Sequence, residues 1–214
     1  MFPSVRSSRR GLFACGVVSL LAAGCASPPP VAERYVAPKV GTTWEYRVTS
    51  TGSFGNGTVN APMRVVETTL DGRKLLRFES PAGATLQTDK VDVVAVLDPA
   101  GRTVMRYDPP LSYEWPLEVG RAWTGEYVVT TASGARMPMK ASWKVEAVED
   151  VTVSAGTFQA WRVSMTDSFG LRQTTWSVPE KMGVFARRVS ERPAGHPQGA
   201  GTQVLELLRA PAFP

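Results

Sequence analysis

The chain has 214 residues, 43% hydrophobic, 20% charged and 9% aromatic, a globular composition that excludes a disordered or fibrous chain and a bundle of membrane-spanning helices. Both of its cysteines lie within the first 25 residues and it has one histidine, so the body holds neither a disulfide framework nor a cysteine metal site, and no metal or cofactor is implied. The formal charge of +5 becomes +2 once Arg6, Arg9 and Arg10 are set aside with residues 1–24, and the remaining 21 basic and 19 acidic residues alternate without the basic stripe of a nucleic-acid binder.

Residues 1–10, MFPSVRSSRR, are positively charged, and Gly11 to Ala23 are apolar, which is the order of a secretory signal. The apolar run is shorter than the roughly 20 residues a bilayer core requires, so cleavage is expected rather than a transmembrane anchor. It ends in LAAGC, with the small residues Ala23 and Gly24 directly before Cys25. This resembles the lipobox of bacterial lipoproteins, which implies cleavage before Cys25, a diacylglycerol thioether on its sulfur and an acyl chain such as palmitate on the new amine. Cys15 follows Leu12, Phe13 and Ala14 but has almost no apolar run before it. Each buried methylene contributes about 0.8 kcal/mol, so two or three chains anchor a protein that a single chain holds only marginally. Ser8 to Phe13 resembles the twin-arginine export motif, while a generic charged leader fits the general secretory path. Ala26 and Ser27 lack the aspartate that, in lipoproteins of Gram-negative cells, signals inner-membrane retention, which implies the outer membrane and a body facing the periplasm.

From Cys25 to Pro38 the prolines favour extended chain and cannot sustain a helix, predicting a tether over 25–38. The folded body is expected over 39–208, with 209–214 (RAPAFP) as a flexible tail. Within it the dominant period is two: Trp44, Tyr46 and Val48 alternate with Glu45, Arg47 and Thr49, placing one set on the buried face of a strand. Further strands are predicted over 63–70, 74–80, 91–97, 123–131, 143–149, 158–165, 171–178 and 184–190, rich in Val, Thr and aromatics. Asp71-Gly72, Pro99 with Gly101, Ser133-Gly134, Ala155-Gly156 and Pro179 with Gly183 punctuate them. No window reads as a capped amphipathic helix, so the class is all-β and antiparallel.

The body repeats. Val40, Gly41, Trp44, Glu45, Tyr46 and Val48 are echoed by Val119, Gly120, Trp123, Glu126, Tyr127 and Val129 at an offset of 79 to 81, with an insertion after the tryptophan. Two tandem halves, 39–115 and 116–208, are predicted to share one core, because a half of that size with five or six strands buries little surface alone.

The second half carries PLEVGRAW from Pro116, VEDVTVSAGTFQAWRV ending at Val163, WSVPEKMGVFARR from Trp176 and a final LELL. These signatures resemble the TapB-like family of secreted bacterial proteins of unknown function. Ser154 stands where that family prefers a proline before the Ala-Gly pair. The resemblance implies a curved antiparallel sheet or half-barrel, like those of lipoprotein-localisation factors, and no catalytic residue.

Chemistry-bearing residues are sparse. His196 lies in a Pro-Gly loop without clustered ligands and reads as a solvated loop histidine. Asp108, Glu114 and Glu118 flank Tyr113 and Trp115, but Pro109, Pro110 and Pro116 make this an exposed linker between the halves rather than a paired-acid cleft. Trp143, Trp161 and Trp176 fall on consecutive predicted strands, and suit either an apolar ligand groove on a concave sheet or the core. The expectation is a noncatalytic, lipid-anchored envelope protein that binds an apolar or amphipathic ligand or a partner lipoprotein. The alternatives are a structural lipoprotein docked on an envelope complex, and an envelope hydrolase using carboxylates.

Overall fold

Alternating apolar residues and tight glycine turns produce strands throughout, and a computed structural model describes residues 30–212; the leader, Cys25 and the last two residues lie outside the described residues. The first six strands are β1 (Thr43–Gly52), β2 (Gly57–Leu70), β3 (Arg73–Ser80), β4 (Gly83–Gln87), β5 (Val93–Leu97) and β6 (Thr103–Leu111). The second six are β7 (Ala122–Thr131), β8 (Arg136–Val153), β9 (Gly156–Asp167), β10 (Arg172–Val178), β11 (Val184–Arg192) and β12 (Gly201–Ala212). Asp71 and Gly72 have φ of 51° and 75°, both positive, as the two-residue turn joining β2 to β3 requires.

Every strand runs antiparallel to its neighbours in chain order, and β1 also pairs with β12. The curved sheet expected from the sequence therefore curves all the way round into a closed barrel. Closure pairs the backbone groups that two free edges would leave open. It also draws in residues predicted as a free tail: Arg209 pairs with Glu45 and Ala212 with Thr43, so β12 runs on through 209–212.

The same hydrogen-bond pattern recurs in both halves. Gly41 N–H donates to Val65 O and Val65 N–H to Thr42 O; Gly120 N–H donates to Val145 O and Val145 N–H to Arg121 O. Gly41 and Gly120 share a φ of 91°. The Val-Gly that opens each half is thus a left-handed turn that hands the chain into its first strand.

One face of each strand points into the barrel. On β7 to β9 the interior is filled by Trp123, Tyr127, Trp143, Val145, Trp161 and Val163 at the end where β1 begins and at mid-barrel. Trp123 and Trp143 stack with centroids 5.7 Å apart and planes 5° from parallel. The outer wall carries ion pairs: Arg64 with Glu79 at 2.7 Å, Lys144 with Glu146 at 2.8 Å and Arg209 with Glu45 at 3.1 Å.

Two segments depart from the sequence reading at the end of the barrel where β1 begins. Residues 32–38, expected as free tether, form a strap across it. Ala32 and Leu117 exchange backbone hydrogen bonds of 3.1 and 2.8 Å, Val36 N–H donates to Pro179 O at 3.0 Å, and Tyr35 donates its hydroxyl proton to Gly183 O at 2.7 Å. Gly183 permits this contact, because a Cβ there would lie 2.1 Å from Val36 O. The linker 112–117 is likewise enclosed, with Tyr113 packing on Trp123 at 5.8 Å. Its alternation turns Tyr113 and Trp115 inward and leaves Glu114 exposed, bonded to Arg121 at 3.5 Å.

Candidate functional site

The interior is hollow on the side opposite the β7 to β9 packing. A cavity of about 200 Å³ lies between the walls of β1 to β4 and of β10 to β12, and the strap and linker close its end. Strand register explains its lining. Trp44 pairs with Met63, Phe78 with Thr85, Ser177 with Phe185 and Arg188 with Leu205, so each pair presents both side chains to the same face. Tyr35 from the strap and Tyr113 and Trp115 from the linker complete it. Tyr35 meets Trp115 with centroids 6.3 Å apart.

The walls are aromatic and the polar groups few. Tyr46 stacks on Phe185 at 4.5 Å and donates its hydroxyl proton to Phe185 O at 3.0 Å. Burial pushes the phenols of Tyr35 and Tyr46 well above the ordinary tyrosine value and raises that of Tyr113, so all three stay protonated. For Tyr46 and Tyr113 the Arg188 charge opposes that shift without cancelling it.

Arg188 is the cation of the cavity. Its guanidinium carbon sits 4.0 Å from the centre of the Phe185 ring, and its Nε donates to Thr175 Oγ1 at 3.2 Å. No carboxylate lies within ion-pair distance of it among the described residues, and the lining contains no Asp or Glu. A larger open groove of about 670 Å³ on the outer wall differs in this respect, because its Arg64, Glu79, Arg209 and Glu45 are already paired.

The tryptophans singled out by sequence lie elsewhere. Trp143 and Trp161 are 3% and 7% exposed and belong to the packed side. Trp176 is on the outer wall, where its Nε1 donates to Glu149 at 2.7 Å and Arg187 stands 5.3 Å from its ring centre. Trp44 and Trp115 are the tryptophans that line the cavity. Of the three acids, Asp108, Glu114 and Glu118 are all exposed and none lines it. Arg188 was missed, although adjacent arginines on one strand must face opposite sides of the sheet, and Arg187 with Arg188 is such a pair.

His196 is not solvated as its loop composition predicted. It is 9% exposed, in a second cavity of about 450 Å³ at the far end of the barrel, with Asp167 and Arg192. The loop is held down by Ser53 N–H donating to Ala200 O at 2.8 Å and by its own turns. Burial, and then the Arg192 charge, push the imidazole below its ordinary value against the pull of Asp167. Burial raises the Asp167 carboxyl, although Phe169 and Leu171 donate their N–H groups to it at 2.9 and 3.0 Å.

Comparison with protein-family models and with curated proteins gives no match, so the likeness of 116–208 to TapB-like proteins stays with its short signatures. Solved structures that resemble the chain include a Bacteroides fragilis protein provisionally described as exported, with a YmcC-like fold. It is 12% identical, covers 82% of this chain and 99% of its own, and has a TM-score of 0.45. A provisionally described lipoprotein of Parabacteroides distasonis is 11% identical, with 82% and 98% covered and a TM-score of 0.39. For the hypothetical lipoprotein YmcC of Escherichia coli the values are 10%, 79%, 84% and 0.35. Likeness at this level carries no functional inference.

Proposed function

We propose that the protein is a noncatalytic lipoprotein of the cell envelope, anchored at the outer membrane through acyl chains on Cys25 and facing the periplasm, whose barrel holds a small apolar or amphipathic ligand. The enclosed aromatic cavity carries the ligand reading. Interiors ordinarily pack to crystal-like density, so about 200 Å³ left open among aromatic side chains supports a ligand there. The charged leader, apolar run and Ala23-Gly24-Cys25 support the anchor. Docking on a complex through an apolar wall has less support: the exposed large apolar side chains among the described residues are the valines Val36, Val40, Val59 and Val119.

The test is mass spectrometry of the protein extracted from its own membranes. A chain beginning at Cys25 with the added mass of acyl groups is expected, with further mass under native conditions that is lost on denaturation. Cys25→Ser is expected to release the chain from the membrane fraction. An unmodified or different first residue overturns the anchor. Absence of extra native mass, together with no uptake of toluene or phenol by the purified protein, overturns the ligand reading.

A further inference from the structure

The cavity is mismatched in charge, with Arg188 in its lining and no Asp or Glu. The half-buried Arg188 guanidinium lies against Phe185 at 4.0 Å, and such a contact only partly replaces the water it displaces. Its counter-charge is missing among the described residues, although every cation of the outer groove has one. A guanidinium that borders an aromatic space and carries no carboxylate describes a site for an anion's oxygens.

Resting on the ligand-holding reading above, we propose that the cavity binds a small monocarboxylate with an apolar body, its carboxylate on Arg188 and its body among Trp44, Tyr46, Phe78 and Phe185. The planar fork of a guanidinium matches a carboxylate with two parallel hydrogen bonds. A single charge neutralises a single charge, whereas a phosphate dianion would leave a net negative charge in an aromatic enclosure that holds no second cation. Volume limits the body: an apolar cavity of roughly 150 Å³ takes benzene, and this one of about 200 Å³ has room for one ring or a short alkyl chain beside the carboxylate.

The test uses phenylacetate and its uncharged near-isostere phenylacetamide on the purified mature protein, read by calorimetry and by the tryptophan indole N–H resonances. Phenylacetate is expected to bind at least tenfold more tightly than the amide and to shift the indole signals of Trp44 and Trp115, but not that of Trp161. Arg188→Gln is expected to abolish the preference and Arg188→Lys to retain part of it, with circular dichroism confirming that each variant folds. Equal binding of the two probes to the wild-type protein overturns the carboxylate assignment and leaves the ligand-holding reading intact. Binding of neither also overturns it, and the native mass of the extracted protein then decides separately whether the barrel holds anything else.

Discussion

Trp143→Ala probes the division of the barrel into a packed side and a hollow side. The ring is 3% exposed, stacks on Trp123 at 5.7 Å and meets Tyr127 edge-on at 6.1 Å. A buried tryptophan removes about 200 Å² from water, which at about 25 cal/mol per Å² corresponds to about 5 kcal/mol. Truncation of such rings to alanine costs about 3–5 kcal/mol. In a protein of this size each kcal/mol lowers the melting temperature by about 2–4 °C, so a fall of about 6–20 °C is expected in thermal melts followed by far-ultraviolet circular dichroism. Trp176→Ala is the comparison on the outer side, where the bond to Glu149, the contact with Arg187 and the packing of a half-buried ring on Ala160, Val178 and Ala186 are lost. Its cost is expected at about 2–3 kcal/mol, below that of Trp143 because the ring is only half-buried. A Trp143 variant melting within about 2 °C of the wild type, or a larger loss at Trp176, would refute the placement of the core.

Two further outcomes follow from the barrel ends. Gly183→Ala places a methyl group 2.1 Å from Val36 O and 2.7 Å from Pro38 Cδ, so the strap must lift; hydrogen exchange of the Val36 amide is expected to quicken at least tenfold, and an unchanged rate counts against the strap. His196 gives a pH dependence. Above its ordinary value of about 6.5 the imidazole is neutral folded or unfolded, and its contribution is fully present. As the pH falls below that value the unfolded chain takes up a proton that the buried ring, facing Arg192, resists, so stability declines until the lowered folded value is reached. Asp167 works in the opposite direction, since a raised carboxyl gains stability on acidification, but nearer the carboxylate range. Urea unfolding of the wild type between pH 7.5 and 5.5 is expected to show a loss that His196→Gln reduces; parallel curves would exclude His196 as the cause.

The period-two pattern made the all-β class legible, and in β1 it even identified the inward set, Trp44, Tyr46 and Val48. Closure was not legible, because the pairing of Tyr46 with Leu207 joins residues from opposite ends of the chain and leaves no local mark. Strands β4, β6 and β12 escaped for local reasons: β4 has only five residues, β6 contains Pro109 and Pro110, and β12 runs into a Pro-containing end. Register decided the site. Trp161 pairs with Ser177, so the neighbouring Trp176 must face outward, and no count along the sequence reveals that. Tyr113 and Trp115 were hidden by the prolines around them, although their alternation with Glu114 carried the signal. The buried state of His196 has no such signal, because it depends on a loop from one end of the chain meeting Ser53 from the other.

The strap also sets how far the protein can stray from whatever holds its start. With 32–38 fastened to the barrel floor, only the seven residues from Cys25 to Val31 remain as leash, and fully stretched they reach about 25 Å. On the proposed anchoring the chain joins the barrel at the end that holds the Arg188 chamber, so that end is tied nearer the lipid than the His196 loop is.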